Sequence, residues 1–379
     1  FQTLLIEILT LYMILPRKIN FTQMARYGKH GEQTYRQNFN RKKKDCIDWL
    51  LLNLSLARRV LDMDGLLAIA IDPCYISKAG KKTPHIGRFW SGCAGAVKHG
   101  LEIMGVGLLD VANNKCMMLR AHQTIGNSAL KMRNKTLVEY YISVMKRYSK
   151  KLLSITDIVV ADAFFSTSTF EKGMSELGFY LVSRFRDNAC LHYIPKREKG
   201  RGRPRVKGDK IDLANLNLSC MEELHIDGLD GKAYTLEAYA KALKKRVRLV
   251  IWRMPGGKCK LFFSTKLSMT GEEVLKTYRT RFQIEFCYRD SKQFTGLMDC
   301  QARHKSQLDF AFNASFASLN AAKVFMKDNG MDNSMAKVKS LMFNANYTKL
   351  IFDMSRFRPH RTLISKIVKD LIGWQPKAA

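Results

Sequence analysis

The sequence is short of acid. Against 64 lysines and arginines stand 33 aspartates and glutamates in 379 residues, a net charge of +31. Such an excess repels itself unless a polyanion neutralises it, so nucleic acid is the first partner expected and an anionic membrane surface the second. A membrane span is not expected, because no run of about 18 apolar residues occurs. The apolar stretch from Leu4 to Leu15 is too short, carries Glu7, and has neither a basic leader nor a cleavage site, which argues against a signal peptide. The nine cysteines contain no C-x2-C pair, so neither a zinc site nor a disulfide framework is signalled, and a reducing, cytoplasmic compartment is expected. The histidines show no metal-ligand spacing. A nucleotide-binding P-loop and internal repeats are also missing. The chain starts at Phe1 rather than Met, so a few preceding residues are expected.

What is present reads as a globular protein, 46% hydrophobic and long enough for two or three domains. Leu5, Ile8, Leu9, Tyr12 and Met13 form a helical stripe that Pro16 ends. Asn20 or Thr22 can cap a short helix through Tyr27. A Gly28–Gly31 turn leads to a second from Glu32 to Asn40, and then to the basic run 41–44. This pair fits a helix-turn-helix that reads DNA, although many helical hairpins look the same. A further apolar helix is expected from Ile47 to Met63.

The apolar run Leu66–Ile71 reads as a buried strand, and Pro73 is expected to stop it, leaving Asp72 at its C-terminal end. Lys78, Lys81 and Lys82 follow. Strands are expected near 102–109 and 116–121, a helix over 132–151, a strand over 157–161 closing on Asp162, a helix over 164–177 and a strand over 179–183. Three strands, helix, strand, helix, strand is the order of a mixed sheet with helices on both faces. Asp157 and Asp110 compete with Asp72 and Asp162 for a chemical role, but Asp157 opens its strand rather than ending it. The plain reading of any one such Asp is a turn former or a cap.

Between Asp162 and Glu285 lies more chain than a strand and a helix require, and its composition changes at about residue 184. The stretch from 196 to 210 is a basic loop, and segments 234–240, 246–253 and 258–266 alternate as strands. Arg201-Gly202-Arg203-Pro204 within that loop resembles the core of an AT-hook, whose thin backbone can lie in a narrow minor groove. A solvated basic loop touching phosphates is the plainer reading of so short a match, and both place DNA there. Trp252 is more simply a buried strand residue than a holder of a flipped base.

Thr270 caps a helix read without interruption from Glu272 to Phe294. Tyr278, Arg281, Glu285 and Lys292 stand at intervals of three, four and seven, which return to one helix face. One carboxylate among a phenol and cations, Arg289 included, is unlike an alternating solvated face. It suits an acid that holds metal beside phosphate.

The spacing Y-x2-R-x3-E-x6-K resembles the signature of a large group of cut-and-paste insertion-sequence transposases, DDE enzymes with an RNase H-like core, and matches at all four positions. With Asp72 and Asp162 upstream, the resemblance covers three separated stretches. It implies an α/β fold with an RNase H-like mixed-sheet catalytic core, a mostly β insertion and a helical N-terminal DNA-binding segment. The expected organisation is 1–62 DNA-binding, 63–189 and 267–330 catalytic core, 190–266 insertion, and 331–379 a basic helical end that clamps DNA or a second subunit. It implies that Asp72, Asp162 and Glu285 are catalytic and hold two Mg²⁺ ions, with Mn²⁺ able to substitute. Tyr278, Arg281 and Lys292 would grip phosphates, with Lys78, Arg201 and Arg203 as further DNA contacts. The partners implied are the double-stranded DNA of element ends and target, and a second copy of the chain on that DNA, in a bacterial cytoplasm at the nucleoid. A nuclease that cuts without joining, and a non-catalytic DNA-binding descendant, are the alternatives.

Overall fold

The computed structural model describes residues 2–16, 18–40, 47–195, 205–331, 334–355, 359–360, 362–364 and 366–367. The N-terminal helices are α1 (Gln2–Ile14), α2 (Phe21–Tyr27), α3 (Glu32–Asn38) and α4 (Trp49–Val60). Then follow β1 (Leu67–Ser77), β2 (Gly87–Ser91), β3 (Ala96–Asp110), β4 (Lys115–Gln123), α5 (Asn127–Met132), α6 (Leu137–Leu153), β5 (Ile158–Val160), α7 (Ser168–Glu176) and β6 (Tyr180–Arg184). The next segment adds β7 (Leu191–Tyr193), β8 (Glu222–Leu224), β9 (Lys232–Ala240), β10 (Lys245–Arg253) and β11 (Cys259–Ser264). Four helices close the described chain: α8 (Gly271–Thr280), α9 (Gln283–Phe294), α10 (Lys305–Asp328) and α11 (Met335–Ser355).

The strands form one mixed sheet in the order β2-β3-β1-β5-β6-β11-β10-β9-β7, with β4 also on β3 and β8 on β9. β1, β5 and β6 run parallel at its centre, and the other pairs are antiparallel. The centre has the arrangement expected of an RNase H-like core: a mixed α/β sheet with helices on both faces. The strands after residue 190 are not a detached layer, since β11 pairs with β6 and carries the core sheet onward.

Strand alternation divides the core. Ile69 and Ile71 of β1 join the cluster built with α4, α6 and α7. Ala68, Ala70, Cys74 and Ile76 join the opposite cluster, with Ile284, Cys287 and Tyr288 of α9 and Leu308 and Phe312 of α10. Asp72 falls in the second series and so belongs to the α9 face. The N-terminal helices pack a third cluster, including Tyr35 of α3 and Phe39 just after it, against Phe310 and Ala314 of α10.

Three sequence expectations need correction. β1 does not stop at Asp72 but continues through Pro73, paired with Met104, to Ser77. Proline is tolerated because the parallel neighbour β5 pairs only as far as Ala70, which leaves that edge of β1 open. The helix expected over 132–151 starts later: a separate short helix, α5, ends at Met132, and Thr136 and Glu139 form a capping box that starts α6 at Leu137. The helix expected over 272–294 is two. Its Thr270 cap is in place, but the chain bends at Arg281-Phe282. There Ile284 N–H donates to Arg281 O and Glu285 N–H to Phe282 O, each a tight i to i+3 bond. No Gly or Pro marks the bend. α8 packs on the added strands β9–β11 and on β6, whereas α9 packs on β1, β4 and α10, so the chain must turn between them.

Candidate active site

Parallel pairing aligns Ala70 with Val160. Two residues further along each strand stand Asp72 and Asp162, side by side at the end of the parallel ladder. Asp162 leaves β5 as the cap of a 3₁₀ turn, its Oδ1 accepting from Phe164 N–H at 3.0 Å. Ser183 of β6 donates to Asp162 O at 2.9 Å, which fixes the crossing from strand to turn.

α9 supplies the third acid. Ile284, Cys287, Tyr288 and Ser291 recur at helical spacing and are buried against the sheet. Tyr288 Oη donates to Asp72 O at 2.5 Å, tying the helix to the strand at the acid itself. The Tyr288 hydroxyl has room because Gly105 lies opposite Asp72 on β3. A Cβ on Gly105 would stand 2.1 Å from Tyr288 Oη. Glu285, in the first turn of α9, is thereby brought near enough to Asp72 for the two charges to act on each other.

Arg281 stands at the bend between α8 and α9 and couples the acids. Its guanidinium lies 3.0 Å from Glu285 Oε1 and 3.6 Å from Asp72 Oδ1, with only 12% of the side chain exposed. It also lies over the Tyr278 ring, 5.7 Å from the centroid, and that ring packs on Phe262. Burial pushes the Asp72 carboxyl up to about 7; Arg281 opposes this, while Asp162, Glu285 and Glu102 add to it. Burial likewise raises the Tyr278 phenol, against the pull of Arg281 and Arg184.

Tyr278, Arg281, Glu285, Asp72 and Asp162 are thus brought together. Lys292 stands two turns on and faces Cys74, whose thiol burial pushes up to about 11 while Lys292 holds it down. Lys78 is remote from the acids, and its ammonium donates to Cys300 O. Arg289 points away, paired with Asp290 at 3.1 Å and lying over Phe286. Trp252 is half-buried on β10, with its Nε1 donating to Asp230 O at 2.7 Å. Arg201 and Arg203 lie outside the described residues. The competing aspartates have structural partners: Asp157 pairs with Lys266 at 2.8 Å, and Asp110 accepts from Asp62 N–H and Asn113.

Sequence reasoning missed three contributors: Tyr288, Glu102 and Arg184. A tyrosine inside an apolar helical stripe needs a hydroxyl partner, and that was the available signal for Tyr288. Glu102, on β3 opposite Tyr75, is buried and accepts from Tyr141 Oη at 2.5 Å. Nothing in the sequence marked Arg184, which ends β6.

The acids are oxygen donors of the kind hard divalent cations take. Burial, with repulsion from Asp162 and Glu285 added, raises Asp72, and a cation held there would relieve both. Among the described residues no three such side chains stand close enough to hold one ion as placed; the positive charge between Asp72 and Glu285 is the Arg281 guanidinium. The Nε–H groups of Arg281 and Arg184 are buried without a partner, donors that a phosphate oxygen could satisfy.

No helix among the described residues is long and apolar enough to cross a membrane. No curated protein matches the chain. A family model described as DDE superfamily endonuclease matches residues 2–248, which include Asp72 and Asp162 and end before Glu285. That match spans more than half of the sequence, and the chain belongs to the DDE superfamily endonuclease family.

Proposed function

We propose that this DDE endonuclease is a DNA transposase that cuts the ends of an insertion sequence and joins them to target DNA. The observation that carries this reading is the coupling of three distant acids. Asp72 and Asp162 each stand two residues past the last parallel pair, Ala70 and Val160, and Arg281 bonds Glu285 at 3.0 Å and lies 3.6 Å from Asp72. Enzymes of this family generally use divalent metals, and the carboxylate oxygens of Asp72, Asp162 and Glu285 are donors of the kind Mg²⁺ takes, two ions being the reading adopted, with Mn²⁺ as substitute. Bound there, such ions would activate the attacking oxygen and stabilise the leaving one.

The chain's own residues supply the rest. Asp72, Asp162 and Glu285 hold charge at one point of the sheet. Arg281, with a planar fork, and Lys292 position the phosphates flanking the bond, and Tyr278 backs Arg281. In the first step a water oxygen bonds to phosphorus and the P–O3′ bond breaks, leaving a 3′-OH and a 5′-phosphate. In the second that 3′-OH attacks a target phosphodiester, forming one P–O bond as another breaks, so no nucleotide cofactor is consumed.

Residues 1–62 are assigned to end recognition, with Gln33, Arg36 and Gln37 of α3 on the exposed side of its Tyr35 anchor. Residues 196–210 contact DNA, and residues 331–379 clamp DNA or a second copy in a homodimer. The setting is a bacterial cytoplasm, on the nucleoid. The deciding experiment offers a labelled, pre-cut 3′ end together with a target plasmid. Covalent capture of the label supports transposition, whereas cutting without capture assigns the chain to nucleases that do not join.

A further inference from the structure

A second cationic site lies at the far end of the elements that carry the acids. The loop after β1 and the segment after α9 enclose an open pocket of about 790 Å³. Five cations line it: Lys18, Lys78, Lys81, Lys82 and Arg303. Asp299 is the one acid among its described lining residues, and its carboxylate is engaged by Ile19 N–H at 2.9 Å. Lys78 is bound to Cys300 O, and Arg303 disfavours its charge further after burial does. Lys18, Lys81, Lys82 and Arg303 are exposed, and none forms an ion pair among the described residues. Like charges held together without counter-ions are costly unless an anion joins them.

Two routes connect this pocket to the acids. β1 runs five residues from Asp72 to Ser77, about 17 Å at roughly 3.3 Å per residue. α9 runs nine residues from Glu285 to Phe294, about 14 Å at 1.5 Å per residue. Lys292 lies between, beside Cys74. Arg281, Lys292 and the pocket therefore form a line of positive charge leading away from the acids. Beyond it, Cys300, Gln301 and Arg303 are shared with a second pocket between α2, α3 and the start of α10.

We infer that the pocket of Lys18, Lys78, Lys81, Lys82 and Arg303 holds backbone phosphates of the DNA duplex whose scissile bond lies at Asp72. At 3.4 Å per base pair, the 17 Å along β1 puts these contacts about five base pairs from the cut. The site thus links the acids to the helices assigned to end recognition. This assignment rests on the DNA-cutting reading but is tested by binding alone, so either can fail without the other.

The test uses the full chain and a random-sequence duplex, with affinity measured across a salt series. The variant Lys81→Ala/Lys82→Ala/Arg303→Ala removes three exposed charges and leaves Lys78 on Cys300. Each lost phosphate contact should flatten the log–log slope by about 0.9, or ~2.7 for three, so a fourfold rise in salt costs the variant about 40-fold less than the parent. Lys81→Arg/Lys82→Arg/Arg303→Lys should keep the parent slope. Lys131→Ala/Lys146→Ala/Lys150→Ala, on α5 and α6 across the sheet, should change it by less than one contact's worth. Equal flattening by both alanine triples, or none by the first, overturns the assignment. Inorganic tripolyphosphate distinguishes a free phosphate ligand: strong binding to it that the first triple abolishes, with the duplex slope unchanged, also overturns it.

Discussion

Replacing Asp72 by Asn in the metal-free protein should stabilise the fold above pH 7 and leave it nearly unchanged at pH 4. The Asp72 side chain is 17% exposed, and burial with Asp162 and Glu285 nearby pushes it from 3.8 to about 7. Between those values the folded chain keeps a proton that the unfolded chain has lost, so stability falls as pH rises. About three pH units at 1.36 kcal/mol each give ~4 kcal/mol, complete near pH 7 and constant above it. The amide resembles the protonated acid and escapes this cost. For 379 residues at about 2.1 cal/mol/K each, ~4 kcal/mol corresponds to about 5 °C in Tm. Thermal unfolding of both proteins at pH 4, 6 and 8 measures it. Millimolar Mg²⁺ or Mn²⁺ should raise the parent toward the variant at pH 8 and affect the variant little. A parent–variant difference that does not grow between pH 4 and 8 refutes the argument that Asp72 is held against its own charge.

Arg281→Ala should slow single-turnover cutting about 100-fold by misplacing the strand, and Arg281→Lys should recover part of it, since a point charge lacks the planar fork. Gly105→Ala puts a Cβ 2.1 Å from the Tyr288 hydroxyl and should cost ~1–3 kcal/mol; adding Tyr288→Phe should return part of that in denaturant titrations. Burial, with Arg120 and Arg147 nearby, lowers His122 to about 3, so it folds neutral. Stability should drop as pH falls below about 6.5, where the unfolded imidazole takes a proton, and His122→Asn should remove that portion of the acid sensitivity. If Arg201 and Arg203 enter a minor groove, replacing both by Ala should weaken A·T-rich duplexes more than G·C-rich ones, and equal loss on both indicates phosphate contact alone.

The acids were legible because buried parallel strands are continuous apolar runs, and a lone Asp closing such a run is conspicuous. Leu66–Ile71 and Ile158–Ala161 gave both aspartates, and helical spacing joined Tyr278 and Arg281 to Glu285. The continuation of β1 was hidden because Pro73 signals a stop in any window that cannot see an open sheet edge. The bend at Arg281-Phe282 was hidden for a related reason. Both residues keep right-handed helical angles, and the turn is imposed by the different strands under α8 and α9. Tyr288 went unmarked because its partner is a backbone carbonyl 216 residues away. The cationic pocket joins Lys18, Lys81 and Arg303, which only the tertiary fold brings together.

The most direct measurement is metal-dependent nicking of supercoiled plasmid by the parent and by Asp72→Asn, Asp162→Asn and Glu285→Gln, with duplex binding followed in parallel. Each variant should bind DNA as the parent does and cut at background rate in both Mg²⁺ and Mn²⁺. Any one of them cutting at the parental rate would contradict the three-acid site.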